Sequence, residues 1–282
     1  GRPWADVLVG RDDRGYRLLC EARAPAAAAA RIRALVSNAD TVVVDRSLDH
    51  AVVSLHGPWA WELAAELVDP IVVGIEYLGY LSTGGLECLR TGKTGEYGYD
   101  LIVPRRDLAA LVARLEAMVT AYEGRTVSVE ALDRCAIENG FFTVRASALL
   151  DYTPDELGLA WRTSHAKRHF VGAEALRSRR TAGLRGRLTT IIATHPFSTG
   201  DAIALDGRTI GEVLHAFRSP DLDRTVGWAM LEPALAAAGI DQYRALTKTG
   251  EVALCTVTPP LVDNLSLRVD PTYHSFREAR LP

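Results

Sequence analysis

Read as a pattern of apolar and polar positions, the chain opens with two strands. Trp4–Val9 and Tyr16–Cys20 are short apolar runs on either side of a polar turn, Arg11-Asp12-Asp13-Arg14-Gly15. Pro25 starts an alanine-rich helix to about Val36, because proline in the first turn gives up only an N–H that has no helical partner. Thr41–Asp45 and Ala51–Leu55 are β-branched runs of strand length, and Gly57-Pro58 begins another helix with Leu63, Ala64 and Leu67 at helical spacing. Leu86–Thr91 and Tyr99–Val103 read as strands around a glycine-rich connection. Leu108, Leu111, Val112, Leu115, Met118, Val119 and Tyr122 then keep the rhythm of an amphipathic helix. A further helix is expected from Ser128, a suitable N-cap, to Glu138, with Asn139-Gly140 ending it. Gly172–Arg180 is the last helical stretch.

Beyond Leu184 the period changes to two. Leu188–Thr194, Asp201–Leu205, Thr209–Ala216, Thr225–Leu231, Tyr243–Thr247 and Glu251–Val257 read as strands. Asp206-Gly207 and Thr249-Gly250 stand where tight hairpin turns would join them. This pattern predicts a β-barrel or sandwich domain, with a boundary near 181–186.

Composition narrows the function classes. The 282 residues are 48% hydrophobic and 24% charged, with 32 basic against 35 acidic side chains and a net charge of −3. That balance argues against a protein that binds nucleic acid by neutralising phosphates. No apolar run is long enough to span a membrane. The four cysteines, Cys20, Cys88, Cys135 and Cys255, are scattered without a CxxC pair, so neither a metal site nor a disulfide framework is expected. Together with the absence of a signal-peptide pattern at Gly1-Arg2-Pro3-Trp4, this gives the expectation of a reduced, cytoplasmic protein.

The most unusual segment is Arg90-Thr91-Gly92-Lys93-Thr94-Gly95-Glu96-Tyr97-Gly98-Tyr99-Asp100, whose glycines permit close backbone approach. Gly92-Lys93-Thr94 echoes the end of a phosphate-binding loop, but Glu87 stands where that motif needs glycine, and a strand follows instead of a helix. Taken alone, the segment reads as a hairpin connection.

Arg90–Asp100 resembles the RTGYTGEDGYE stretch of the glycine-cleavage aminomethyltransferase (T-protein) family. GRPWADVLV at Gly1–Val9 is similar to its GGxxDDLIV strand, and ALDRCAIENG at Ala131–Gly140 to its ARDxLRLEAG helix. DYTPDELGLAW at Asp151–Trp161 is similar to DxTPxEAGLGW, and FVGAEAL at Phe170–Leu176 to FIGREAL. Gly211–Pro220 and Val226–Leu231 resemble the GEVTSGxxSP and IGLAYV strands of the family's C-terminal barrel. The seven segments fall in family order and cover residues 1 to about 231.

The resemblance implies an α+β, multi-domain cloverleaf of the aminomethyltransferase type around a channel for tetrahydrofolate, with a C-terminal β-barrel domain. The implied domains are 1–46 with 135–183 as a discontinuous folate-binding domain, 47–134 as a second α+β domain, and 184–282 as the barrel. The family's segment upstream of the GGxxDD strand has no counterpart here. The expectation is that the numbered chain omits it, since a strand starting at residue 1 would leave a sheet edge unprotected.

Site residues follow from the same resemblance. Asp6 occupies the second acidic position of GGxxDD, where Ala5 replaces the first, and is the expected catalytic carboxylate; such a group can hold or deliver a proton while a one-carbon unit moves between amines. Glu138 corresponds to the glutamate of LRLEAG, whose carboxylate pairs with the N–H donors of the pterin. Tyr99 and Trp161 are candidate walls of the channel. Arg162, Lys167 and Arg168 form a basic cluster suited to the folate glutamate tail. Glu21, where the family often has Asn-Ala, and Lys93, where it has tyrosine, are the substrate-side departures. The KGCYxGQE signature of the iron–sulfur-assembly branch is absent.

The implied function is a tetrahydrofolate-dependent methyltransferase or demethylase acting on a small-molecule methyl donor or acceptor. The alternatives are a true T-protein, which would dock H-protein, and a non-catalytic folate-binding protein should the essential acid be the one replaced by Ala5.

Overall fold

The computed structural model describes residues 1–13, 15–22, 24–36, 40–145, 147–164 and 166–278; Arg14 of the expected first turn lies outside them. The chain forms two compact units. The first comprises Gly1–Asp6, Glu21–Ala28 and Ile137–Val262, and the second Val7–Cys20, Ala29–Ala136 and Asp263–Pro282. The fold is α+β, with a closed six-stranded barrel near the C-terminus.

Strands β1 (Ala5–Asp12) and β2 (Gly15–Ala22) pair as a two-stranded sheet, and α1 (Pro25–Leu35) follows. In the second unit, β3 (His50–His56), β4 (Tyr80–Thr83), β5 (Leu86–Arg90) and β6 (Gly98–Pro104) form an antiparallel sheet in the order β3-β6-β5-β4. Alternate residues face a core: Leu55, Cys88, Tyr99 and Leu101 pack with Trp61, Ala64 and Leu67 of α2 (Ala60–Leu67). Leu115 of α3 (Leu108–Ala121) closes the same core. Val269 and Phe276 join it, so the segment after residue 262 packs here, whereas the sequence reading runs the barrel domain to 282.

Two expectations change. Thr41–Asp45 forms no strand; Val42 and Val44 are 82% and 67% exposed. β-branched residues favour a strand only against a pleated, half-buried neighbour, and this run has none to pack on. Conversely, β4 is a strand that the sequence reading does not contain. It pairs with β5 across Gly84-Gly85, whose φ values of +57° and +83° suit a hairpin turn.

In the first unit, β7 (Arg187–Ala193), β8 (Ala202–Leu205), β9 (Arg208–Ser219), β10 (Arg224–Leu231), β11 (Tyr243–Thr247) and β12 (Gly250–Val257) close in the order β10-β7-β12-β11-β8-β9. Strand β10 explains its own apolar sequence. Ala229 and Leu231 point into the barrel core, while Val226, Trp228 and Met230 point outward into a second core with Ile137, Phe142, Leu149 and Leu157. The expected Asp206-Gly207 turn has positive φ at both residues, 51° and 78°. The remaining α-helices among the described residues are α4 (Val129–Glu138) and α5 (Ala173–Ala182). Among the described residues no helix is long and apolar enough to cross a membrane.

Candidate functional site

Helix α4 delivers Glu138 with its last turn. Ala136, Ile137 and Glu138 are all buried, and Glu138 is 5% exposed. The backbone carbonyl of Glu138 accepts from Leu261 N–H at 2.7 Å, which fixes the helix end against the segment after the barrel. Gly140 then turns the chain with φ +73°, and a Cβ there would lie 2.9 Å from the Pro259 ring, so only glycine fits.

Directly after Glu138, Asn139 and Gly140 begin the wall of a cleft of about 250 Å³. Phe142, Leu157, Leu159 and Trp228 give it apolar surface, and Thr190 adds a hydroxyl. A slot between aromatic and aliphatic side chains with a few polar groups suits a flat heteroaromatic ring. Its volume is just below the roughly 300–1,000 Å³ of ordinary small-ligand pockets.

Asp6 lies on β1. Its side chain is 11% exposed, and its carboxylate accepts from Arg162 Nη1 at 3.3 Å. Arg162 ends a short 3₁₀ turn, Ala160–Arg162, and its guanidinium stands 5.2 Å from the centre of the Trp161 ring, which is 75% exposed. The structure thus joins Asp6, Arg162 and Trp161 in one cluster. Arg162, expected with the folate tail, is instead the partner of the expected catalytic acid. Glu21 on β2 pairs with Arg145 at 3.0 Å. Lys167 and Arg168 are exposed, and the Arg168 carbonyl accepts from Arg177 at 3.0 Å.

Tyr99 and Lys93 belong to the second unit. Tyr99 is 1% exposed within its core, and burial pushes its phenol up to about 12. Lys93 is half-buried in the glycine-rich connection. That connection is tightly folded: a Cβ on Gly98 would lie 2.2 Å from the Thr91 carbonyl oxygen and 3.1 Å from His56 Nδ1. Burial holds His56 below its ordinary value, with Asp100 opposing. The Glu96 carboxylate accepts from the backbone N–H groups of Leu265 and Ser266 at 2.9 and 2.7 Å, and Tyr97 O–H donates to the Val269 carbonyl at 3.0 Å. The glycines and Glu96 of this motif therefore have a packing role of their own.

Sequence reasoning did not single out Glu156. It is fully buried and accepts from Thr153 N–H at 2.7 Å, Thr153 Oγ1 at 3.0 Å and Arg185 Nε at 2.9 Å. Arg185 also reaches the Asp151 carbonyl at 2.8 Å. Burial pushes the Glu156 carboxyl up, but the hydrogen bonds from Arg185 and Thr153 outweigh it and hold the group down to about 2. The Thr153-x-x-Glu156 spacing, that of a capping box, was a signal in the sequence. Arg145 carried no such signal.

Comparison with known proteins adds the family. The family model for the GCVT N-terminal domain matches residues 1–167. An aminomethyltransferase of Mycobacterium leprae is 26% identical over 258 residues, covering 89% of this chain and 70% of that protein. One of Herpetosiphon aurantiacus is 29% identical over 211 residues, covering 68% and 54%. The crystal structure of glycine cleavage system aminomethyltransferase T from Bartonella henselae has a similar fold, with a TM-score of 0.76 at 20% identity over 93% of this chain and 73% of that one.

Proposed function

The chain belongs to the GCVT N-terminal domain family as a divergent T-protein-like member, and from that premise we propose that it is a tetrahydrofolate-dependent one-carbon transferase acting on a small molecule. The observation that carries the reading is the cleft lined by Asn139 and Gly140, the two residues that follow the buried Glu138 in the chain. A pterin needs an apolar slot for its rings and acceptors for its N–H edge, and this segment of the chain supplies both kinds of group. Tetrahydrofolate, when bound, supplies the amine nitrogens that take up or release the one-carbon unit.

The protein's own residues divide the remaining work. Glu138 accepts from the pterin edge, and Phe142 and Trp228 exclude water around the ring. Asp6 holds or delivers the proton that accompanies transfer, in a setting with little solvent access. Lys167 and Arg168, both exposed, offer charges to the folate glutamate tail.

The names of the relatives favour a second reading, aminomethyl transfer within glycine cleavage, with H-protein as the partner. Calorimetric titration with tetrahydrofolate tests what the two readings share. Glu138→Ala is expected to weaken binding by about 1.5–3 kcal/mol, the scale of a hydrogen bond to a charged group. Unchanged affinity in that variant removes the pterin assignment. A donor screen then separates the readings: demethylation of a free small molecule supports the first, and turnover only with loaded H-protein the second.

A further inference from the structure

The closed barrel carries a cavity of its own. It holds about 520 Å³ and is lined by Thr194, Pro196, Phe197, Phe217, Arg218 and Thr225, none of which lines the cleft beside Asn139 and Gly140. The strand register explains its place. Thr225 of β10 stands opposite Ala193 of β7 and Arg218 of β9, so the three share the face that Ala193 turns to the barrel core. Each is at or next to the end of its strand, which puts the row at a mouth of the barrel. Phe197, from the loop after β7, belongs to the same core and lies on Gly227, where a Cβ would stand 2.8 Å from Phe197 Cε2. A barrel mouth of this volume is an ordinary place for a small ligand.

Arg218 is the one charged side chain of the lining among the described residues. Its Nη1 donates to the Thr194 carbonyl at 3.2 Å, which fixes the guanidinium at the rim, and Arg224 Nη1 donates to Thr194 Oγ1 at 3.0 Å. The counter-ion of Arg218 is Asp223, held through Nη2, and that carboxylate is 92% exposed. An ion pair so open contributes little, so a ligand carboxylate can take the place of Asp223. The exchange frees Nη2, which with Nε forms the two-pronged edge that a guanidinium offers to a carboxylate. Arg180 uses that same edge on Asp155, at 2.5 and 2.9 Å.

We propose that this mouth binds a flat, apolar ring that carries one carboxylate. The ring lies among Pro196, Phe197 and Phe217, where it removes apolar surface from water, and the carboxylate meets Arg218. A neutral ring leaves Arg218 paired with Asp223 and gains only the burial; a dianion exceeds the single charge of the lining. The site stands on the geometry of the barrel and is independent of the one-carbon reading.

Three probes separate the two halves of the ligand: naphthoate carries ring and carboxylate, naphthamide the ring alone, and acetate the carboxylate alone. In calorimetric titrations naphthoate is expected to bind about 10-fold or more tighter than either other probe. Arg218→Gln should erase the preference over the amide, and Arg218→Lys, which keeps the charge without the paired donors, should retain part of it. Asp223→Asn alters an exposed side chain and removes the competing counter-ion, so naphthoate should bind about 2-fold to 5-fold tighter. That gain should vanish when Arg218→Gln is added, and it carries the test should Arg218→Gln not fold. Saturating tetrahydrofolate should leave naphthoate affinity unchanged, because the cleft and the mouth share no lining residue. No binding of naphthoate at millimolar concentration, equal binding of the amide, a preference that survives Arg218→Gln, no gain in Asp223→Asn, or competition by tetrahydrofolate would each overturn the proposal.

Discussion

Two carboxylates of the first unit each meet an arginine, under opposite conditions. Glu156 has no exposed surface and is surrounded by donors: the backbone N–H and hydroxyl of Thr153, and the backbone N–H, Nε and Nη2 of Arg185. Asp6 meets Arg162 through one N–H at the longer distance of 3.3 Å, and its own side chain keeps some exposed surface. The first arrangement satisfies a charge so fully that it can only hold the chain together. It fastens the Asp151–Gly158 segment to Arg185, just before β7. The second leaves donors and surface over, which is what a site needs. Of these two acids, the one with no exposed surface and five donors around it is read as structural, and the one beside an arginine with donors left over as chemical.

The largest expected effect breaks the structural side. Arg185→Ala leaves Glu156 buried without its counter-charge and should destabilise the protein by about 3–5 kcal/mol in chemical denaturation. A loss under 1 kcal/mol would show that water reaches Glu156 after all. Acid should act in the same direction. Because the folded-state value of Glu156 is about 2 and the ordinary value 4.5, its stabilisation is complete above 4.5 and is lost as pH falls toward 2. About 2–3 kcal/mol should disappear across that window, and Glu156→Gln should flatten this part of the stability–pH curve. A smaller effect sharpens the cleft: Gly140→Ala, at φ +73° and against Pro259, should cost about 1–3 kcal/mol and weaken tetrahydrofolate binding with it. Unchanged stability and affinity would remove Gly140 from the cleft's account.

What was legible in the sequence follows the range of the forces involved. The barrel strands are legible because a period of two and the Asp206-Gly207 turn are local. The Thr41–Asp45 run misleads because its β-branched residues lack a neighbour to pack on, which no local pattern reveals. Asp6 and Glu138 were legible as motif positions. The partner of Asp6 was not: Arg162 lies 156 residues away, and only the fold brings the two together. The same holds for the C-terminal segment, whose Val269 and Phe276 complete a core built from residues far earlier in the chain.

The contrast between the two acids is tested most directly on Asp6→Asn, which keeps the side chain's size and removes its charge and titrating proton. Turnover on a donor that the unaltered protein consumes, tetrahydrofolate affinity and unfolding free energy would be measured on one preparation. The expected result is a fall in turnover of about 10²–10⁴, with affinity within a few-fold and stability within about 1 kcal/mol. Turnover at the original rate would contradict the account, and so would a loss of stability as large as that of Arg185→Ala, which would make Asp6 a second structural acid.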